Sequence, residues 1–237
     1  MSLLGEVLEG HDFRGANLRG RRFSHAKLAE AKFTGADLRG ADFSFSDLSG
    51  ADFSKCDLSE AKLDEAELVG ANLERAVLPA VRGADFTGSN LKGAKSGRLE
   101  SCRLVDCILE GAELPDLELC DLSGVDGTRA RAGKFLNCRA VKSRWADLSK
   151  CDLTNSDFAG ATIEDLSGAI LEQAEFAGAH LKKLRGVRAI RARFDGANLE
   201  GSDFEGAILS SAHFVGAKLV KAVFRRCDLG DARLGGV

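Results

Sequence analysis

The chain has 237 residues, 33 Lys and Arg against 36 Asp and Glu, a net charge of −3 and 44% hydrophobic residues. No apolar run reaches the roughly eighteen residues of a membrane-crossing helix, and Met1 to Gly10 lacks the basic start and long apolar stretch of a secretory leader. Length alone allows one or two ordinary domains.

In chain order, Leu3 and Leu8 keep a spacing of five with Phe13, so residues 1–12 read as a degenerate first coil or N-terminal cap. From Phe13 to Leu78, every fifth residue is Phe or Leu; we call these residues centres. Two before each centre stands a small residue, usually Ala, with Ser46 and Cys56 as variants and His11 and Arg21 as departures. The residue before a centre is usually Asp, Asn, Lys, Arg or Glu, and the residue two after is often Gly. A period of five fits neither a helix nor an open strand. It fits a chain that turns a corner every five residues and stacks its coils about 4.8 Å apart, burying one large and one small residue per side.

After Leu78 the register slips. Centres fall at 81, 86, 91, 96, then at Leu99, Leu104, Leu109, Leu114, then at Leu117, Leu122, Gly127, Ala132. They continue at Phe135, Ala140, Trp145, then Leu148, Leu153, Phe158, Ile163, then Leu166, Leu171, Phe176, Leu181. Regular fives return from Phe194 to Leu234. New blocks start at 81, 99, 117, 135, 148, 166 and 184, so one side of most middle coils is shortened from five residues to three. The single step of thirteen, from 135 to 148, predicts that the short side shifts to another column there. Pro79 and Pro115 lie on short sides, where ladder pairing is expected to break. Ser123 to Lys134, with Gly127 and Ala132 inward, is the weakest coil and has the composition of a loop.

The A(D/N)LXX register resembles the pentapeptide-repeat family. The resemblance covers nearly the whole chain and implies an all-β fold, a right-handed quadrilateral parallel β-helix. About twelve coils are expected, in one domain over 13–237: regular over 13–78, irregular over 81–184 and regular over 194–234. Phe13, Phe23, Phe33, Phe43, Phe53, Leu58, Phe194, Phe204, Phe214 and Phe224 are expected core centres. Residues twenty apart should stack, and residues ten apart should lie on opposite sides.

Little chemistry is visible. All seven cysteines, Cys56, Cys102, Cys107, Cys120, Cys138, Cys151 and Cys227, stand two before a centre, where a small hydrophobe is wanted. Free thiols point to a reducing, cytoplasmic setting. The four histidines are scattered, and Gly127, Gly133 and Lys134 miss the P-loop spacing. No catalytic, metal or cofactor constellation is read, and an enzyme is not expected. Phe45 is expected to face outward, while Trp145 fits either the core or a short side.

Charge is uneven: residues 1–120 carry 21 acids and 15 bases, and residues 121–237 carry 15 acids and 18 bases. One basic cluster comprises Arg129, Arg131, Lys134, Arg139, Lys142, Arg144 and Lys150. The other comprises Lys182, Lys183, Arg185, Arg188, Arg191 and Arg193, with no acid among them in sequence. These bases are candidate contacts for a protein partner on a non-catalytic scaffold or adaptor. The resemblance also implies an alternative, a DNA mimic that binds the type II topoisomerases DNA gyrase and topoisomerase IV, with Asp37, Asp52 and Asp57 as its acidic face. A third reading is a repeat domain of a bacterial secretion or effector system. The repeats run on to the C-terminal end, where exposed strand edges predict either a homodimer through that end or a missing downstream segment.

Overall fold

A computed structural model describes residues 3–236; Met1, Ser2 and Val237, which the expected cap and last repeat include, lie outside the described residues. The chain divides into two compact units, Met1–Asp116 and Leu117–Val237. Each is a parallel β-solenoid, without helix among the described residues.

The same corner repeats in both units. The N–H three residues past a centre donates to the centre's carbonyl, as Ala16 does to Phe13 at 3.0 Å and Ala197 does to Phe194 at 3.0 Å. At most corners the residue two past the centre has φ between 53° and 77°, the left-handed value that a type II turn requires at its third residue. Glycine takes that conformation at no steric cost, which accounts for its frequency there. Asp or Asn before a centre locks the corner from the side chain: Oδ1 accepts the N–H two residues on. Asp47 does so from Ser49 at 3.0 Å, Asn72 from Glu74 at 3.2 Å and Asp157 from Ala159 at 2.9 Å. These acids are turn-formers as well as surface charges.

Between corners, residues before the centres pair in parallel, coil to coil. In the first unit one ladder runs Asp12, Lys32, Asp52, Asn72, Asn90, Ile108. In the second unit another runs Asp121, Arg139, Asp157, Glu175, Arg193, His213, Arg233. Inside, Phe rings stack at the coil repeat. Phe33 lies 4.6 Å from Phe53 with planes 1° apart, and Phe23 lies 4.9 Å from Phe43. Columns on opposite sides meet edge-on across the core, as Phe43 and Phe53 do at 5.6 Å and 81°. In the second unit Phe176, Phe194 and Phe214 stack at 5.3 and 5.0 Å, and Phe204 and Phe224 at 4.8 Å. Phe13 and Leu58 are buried, and Phe224 is half-buried. Burial of rows of aromatic and aliphatic side chains is the main stabilising term of such a stack.

The small inward sites hold Ala, Ser or Cys for a further reason. Ser89 Oγ donates to the Phe86 carbonyl at 2.7 Å and Ser202 Oγ to the Leu181 carbonyl at 2.7 Å. Cys107 Sγ donates to the Phe86 carbonyl at 2.9 Å. A hydroxyl or thiol is therefore tolerated where it can reach a corner carbonyl.

Continuous strands form where a corner is deleted. In the first unit, β1 (Val81–Arg82) and β2 (Leu99–Glu100) pair in parallel on the short sides. The chain passes between the units in β3 (Glu113–Glu118), and the second unit begins its strands with β4 (Arg131–Leu136). Beyond the thirteen-residue step the short side moves by one column. There β5 (Arg144–Asp147), β6 (Thr162–Asp165) and β7 (His180–Lys183) form a three-stranded parallel sheet in the order β5-β6-β7. Losing two turn residues joins two sides into one strand long enough to pair at several successive residues.

Ser123–Lys134 does not leave the solenoid as a loop. Val125 is buried, Asp121 pairs with Arg139, Asp126 pairs with Arg144, and the segment runs into β4. Its small inward residues make room for a large neighbour. Trp145 is 1% exposed and donates Nε1–H to Ser143 Oγ at 2.9 Å. A Cβ on Gly127 would come within 2.3 Å of the Trp145 ring. Trp145 is thus a core residue, and Gly127 is the space it occupies.

Gly127→Ala should therefore cost about 1–3 kcal/mol by overpacking. Adding Trp145→Phe to Gly127→Ala should recover part of that loss. Urea unfolding of the single and double variants measures both; additive losses would exclude the pairing of Gly127 with Trp145.

Candidate interaction faces

Bases adjacent in sequence wrap around a coil and reach different sides, while residues one coil apart share a face. The second basic cluster, free of acid in sequence, is consequently met by acids from the coils on either side. Lys182 pairs with Glu164 at 2.7 Å and Lys183 with Asp165 at 3.2 Å. Arg185 reaches Asp203 at 3.2 Å and Glu205 at 2.7 Å, and Arg188 pairs with Glu172; Arg193 is met within its own coil, by Asp195 two residues on, at 3.0 Å. Arg191 stands at a left-handed corner with φ 59°. The first cluster is interleaved in the same way. Arg139 lies 3.5 Å from Asp121, Arg144 is ladder partner to Asp126, and Lys134 to Asp152. Lys142 and Lys150 are corner residues, Arg129 lies beside Asp126, and Arg131 opens β4.

The proposed acidic residues are engaged too. Asp37 receives Arg39 at 2.6 Å, Asp52 accepts from Thr34 Oγ1 at 3.0 Å and Asn72 Nδ2 at 3.1 Å, and Asp57 accepts the Ser59 N–H at 3.0 Å. Hydrogen bonds from the Arg39 guanidinium hold the Asp37 carboxyl at about 2. Those from Ser59 lower Asp57, and those from Thr128 lower Asp126. For Asp42 and Asp52 partial burial acts upward, but hydrogen bonds from Ser44, and from Ser54, Thr34 and Asn72, bring both below the ordinary carboxylate range.

All seven cysteines are free, and all but the half-buried Cys227 are buried. Burial pushes the Cys56, Cys107 and Cys151 thiols up to about 11. Cys138 is raised by a hydrogen bond with Cys120 and then by burial. Such thiols are poor nucleophiles.

His11 is exposed and tilts onto the Phe13 ring at 4.5 Å. His25 stacks at 5.1 Å on Phe45, which is 55% exposed. Two clefts mark the places where a full side abuts a shortened one. One, of about 120 Å³, is lined by Asp64, Ala80, Val81, Arg82, Arg98 and Glu100. The other, of about 210 Å³, is lined by Thr162, His180, Leu181, Lys182, Asn198 and Glu200. Both fall below the volume of a typical small-molecule pocket. Among the described residues no His, Cys, Asp and Glu group could hold a metal ion, and no helix is long and apolar enough to cross a membrane.

Sequence reading missed the coil-by-coil ordering of charge. In the second unit Glu164 and Asp165 are followed one coil on by Lys182, Lys183 and Arg185, and these one coil on by Glu200, Asp203 and Glu205. Summing charge in frames of eighteen and twenty residues would have exposed it.

The lowered aspartates predict acid lability. Their ordinary value is about 3.9, so the stability they contribute is complete above that pH and is lost as pH falls through the folded values toward about 2. Urea midpoints should be flat near neutrality and fall from about pH 4 downward; a midpoint unchanged to pH 2 would exclude the effect. In native protein, thiol labelling should begin at Cys227 and reach the other six only on unfolding. Rapid native labelling of Cys56 would contradict its burial.

The pentapeptide-repeat family model, described as Pentapeptide repeats, matches with eight copies over residues 8–44, 22–55, 41–79, 190–226 and 207–237, just over half the chain. The unmatched middle contains the shortened sides. No curated protein sequence matches. Among solved structures, HetL is a pentapeptide repeat protein involved in heterocyst differentiation regulation from the cyanobacterium Nostoc sp. strain PCC 7120. It is 26% identical over 100% of this chain and 91% of its own, with a TM-score of 0.42. A pentapeptide repeat protein from the thylakoid lumen of Arabidopsis thaliana is 38% identical over 39% of this chain and 66% of its own, with a TM-score of 0.23. QnrB1, a plasmid-mediated fluoroquinolone resistance protein, is 21% identical over 98% of this chain and 83% of its own, with a TM-score of 0.28. With its five-residue corners, stacked Phe and Leu columns and matched repeats at both ends, the chain belongs to the pentapeptide-repeat family.

Proposed function

We propose that the chain is a non-catalytic β-helical scaffold that docks a protein partner on its side faces. The observation that carries this reading is the filled interior. Inward positions hold stacked Phe, Leu and Ala, so chemistry is available only on the outer sides and corners. The proposed contacts are the bases of the short-sided region: Arg129, Arg131, Lys134, Arg144, Lys182, Lys183, Arg185, Arg188, Arg191 and Arg193. Buried free thiols support a reducing, cytoplasmic setting.

The test is capture of partners from host lysate by the full chain. Lys134→Gln, Arg144→Gln and Arg191→Gln together should reduce capture about tenfold, a loss of about 1.4 kcal/mol, with an unchanged circular dichroism spectrum. Contacts through charge should also weaken with salt. Failure to capture any protein would overturn the scaffold reading. Capture of a type II topoisomerase, released by Asp37→Asn, Asp52→Asn and Asp57→Asn but not by the basic variant, would replace the basic face with the acidic one.

A further inference from the structure

One corner of the first unit carries side chains that neither its turns nor its core require. Successive coils place His25, Phe45, Glu65 and Gly83 there: the His25 N–H donates to the Ser44 carbonyl at 3.1 Å, the Phe45 N–H to the Asp64 carbonyl at 3.0 Å and the Glu65 N–H to the Arg82 carbonyl at 2.8 Å. His25 and Phe45 hold φ 59° and 60°, a conformation that suits glycine best. Phe45 is 55% exposed and so gains little from burial. The His25 ring lies flat on it, 5.1 Å between centroids and 6° between planes. The rings thus stack along the coil direction, with the other face of Phe45 turned toward the Glu65 coil. The Glu65 carboxylate leans onward and fills the space that a Cβ on Gly83 would need. It forms no ion pair among the described residues, and Arg82, beside Gly83, turns instead to Glu100 at 3.6 Å. Two ladders flank this corner, Arg22-Asp42-Lys62 and Lys27-Asp47-Glu67. Their bases Arg22 and Lys27 stand at the level of His25. At the levels of Phe45 and Glu65 come Asp42, Asp47, Asp64 and Glu67, against Lys62, which lies 3.9 Å from Asp42.

We propose that Phe45 and Glu65 form a second docking point, and that its occupant is an arginine side chain of a basic polypeptide. A guanidinium is flat and lies well on an aromatic face, and its fork of N–H groups fits a carboxylate. Phe45 offers the face, His25 backs it, and Glu65 offers the carboxylate from the next coil of the same corner. The carboxylates around them attract a cation and repel a phosphate backbone, which argues against nucleic acid at this point. A neutral apolar segment would leave Glu65 and Glu67 unanswered. The proposal rests on the scaffold reading only in taking the partner to be a polypeptide, and it adds a face of opposite charge to the basic one.

The experiment uses the full chain and a fluorescent peptide in which Arg alternates with Gly, titrated by anisotropy at low and high salt. Two further peptides replace every Arg by Lys, or by citrulline, which keeps the shape and removes the charge. The Arg peptide should bind at low salt and weaken as salt rises. The Lys peptide should bind severalfold more weakly, and the citrulline peptide at least tenfold more weakly. Phe45→Gly should weaken the Arg peptide at least tenfold while the urea midpoint stays at or above that of the parent chain, because glycine suits the corner. That variant separates loss of binding from loss of fold. Glu65→Gln, of the same size, should weaken the peptide severalfold. Leu119→Gly, at an exposed left-handed corner of the other unit with φ 54°, should leave it unchanged. No binding of the Arg peptide, equal binding by Phe45→Gly, an equal loss in Leu119→Gly, or citrulline and Arg peptides bound alike would each overturn the proposal. Capture of a lysate partner by a chain that binds no Arg peptide would remove this docking point and leave the scaffold reading standing.

Discussion

At most corners a centre's carbonyl accepts the N–H three residues on, while the residue two past the centre sits near φ +60°. That geometry fixes the side at five residues and turns one large and one small side chain inward. It makes Gly frequent two residues past the centre and Asp or Asn useful just before it. The columns of Phe, the parallel ladders and the charged outer faces all follow from repeating this turn. Where two residues are lost the corner disappears, a continuous strand takes its place, and shallow clefts open where a full side meets the shortened one.

Stacking also decides which charges meet. In an ordinary domain a run such as Lys182 to Arg193 is a basic patch. Here it occupies more than half of an eighteen-residue coil, so its members face different directions, and Lys182, Arg185 and Arg188 are answered from the coils on either side. Most exposed pairs of this kind contribute little, about 0–1 kcal/mol each. Their larger effect is to decide which charges remain for a partner. The aspartates are likewise divided between corner, ladder and solvent, which leaves Asp37, Asp52 and Asp57 less like a free acidic surface than their sequence suggests.

The filled interior bears on function in the same way. Cysteine and serine stand at small inward sites because they can donate to corner carbonyls, and their burial removes them from reactive chemistry. What varies along the two units is the outside: shortened sides, corner residues and the sign of charge on successive coils. The proposed binding scaffold leaves this division between inside and outside intact.

The spacing of five by itself determined the coil, the inward columns, the burial of the cysteines and the positions of the shortened sides. A local turn repeated without interruption is a local property, and a sequence displays it residue by residue. Even the shift of the short column at the thirteen-residue step was legible, because it is a change of spacing. Tertiary structure decided what depends on neighbours eighteen or twenty residues away. Gly127 looks like a weak place until Trp145 is stacked against it. Arg185 looks free until Asp203 and Glu205 arrive from the next coil. The turn sets the period, but only the stacked coils set which side chains share a face.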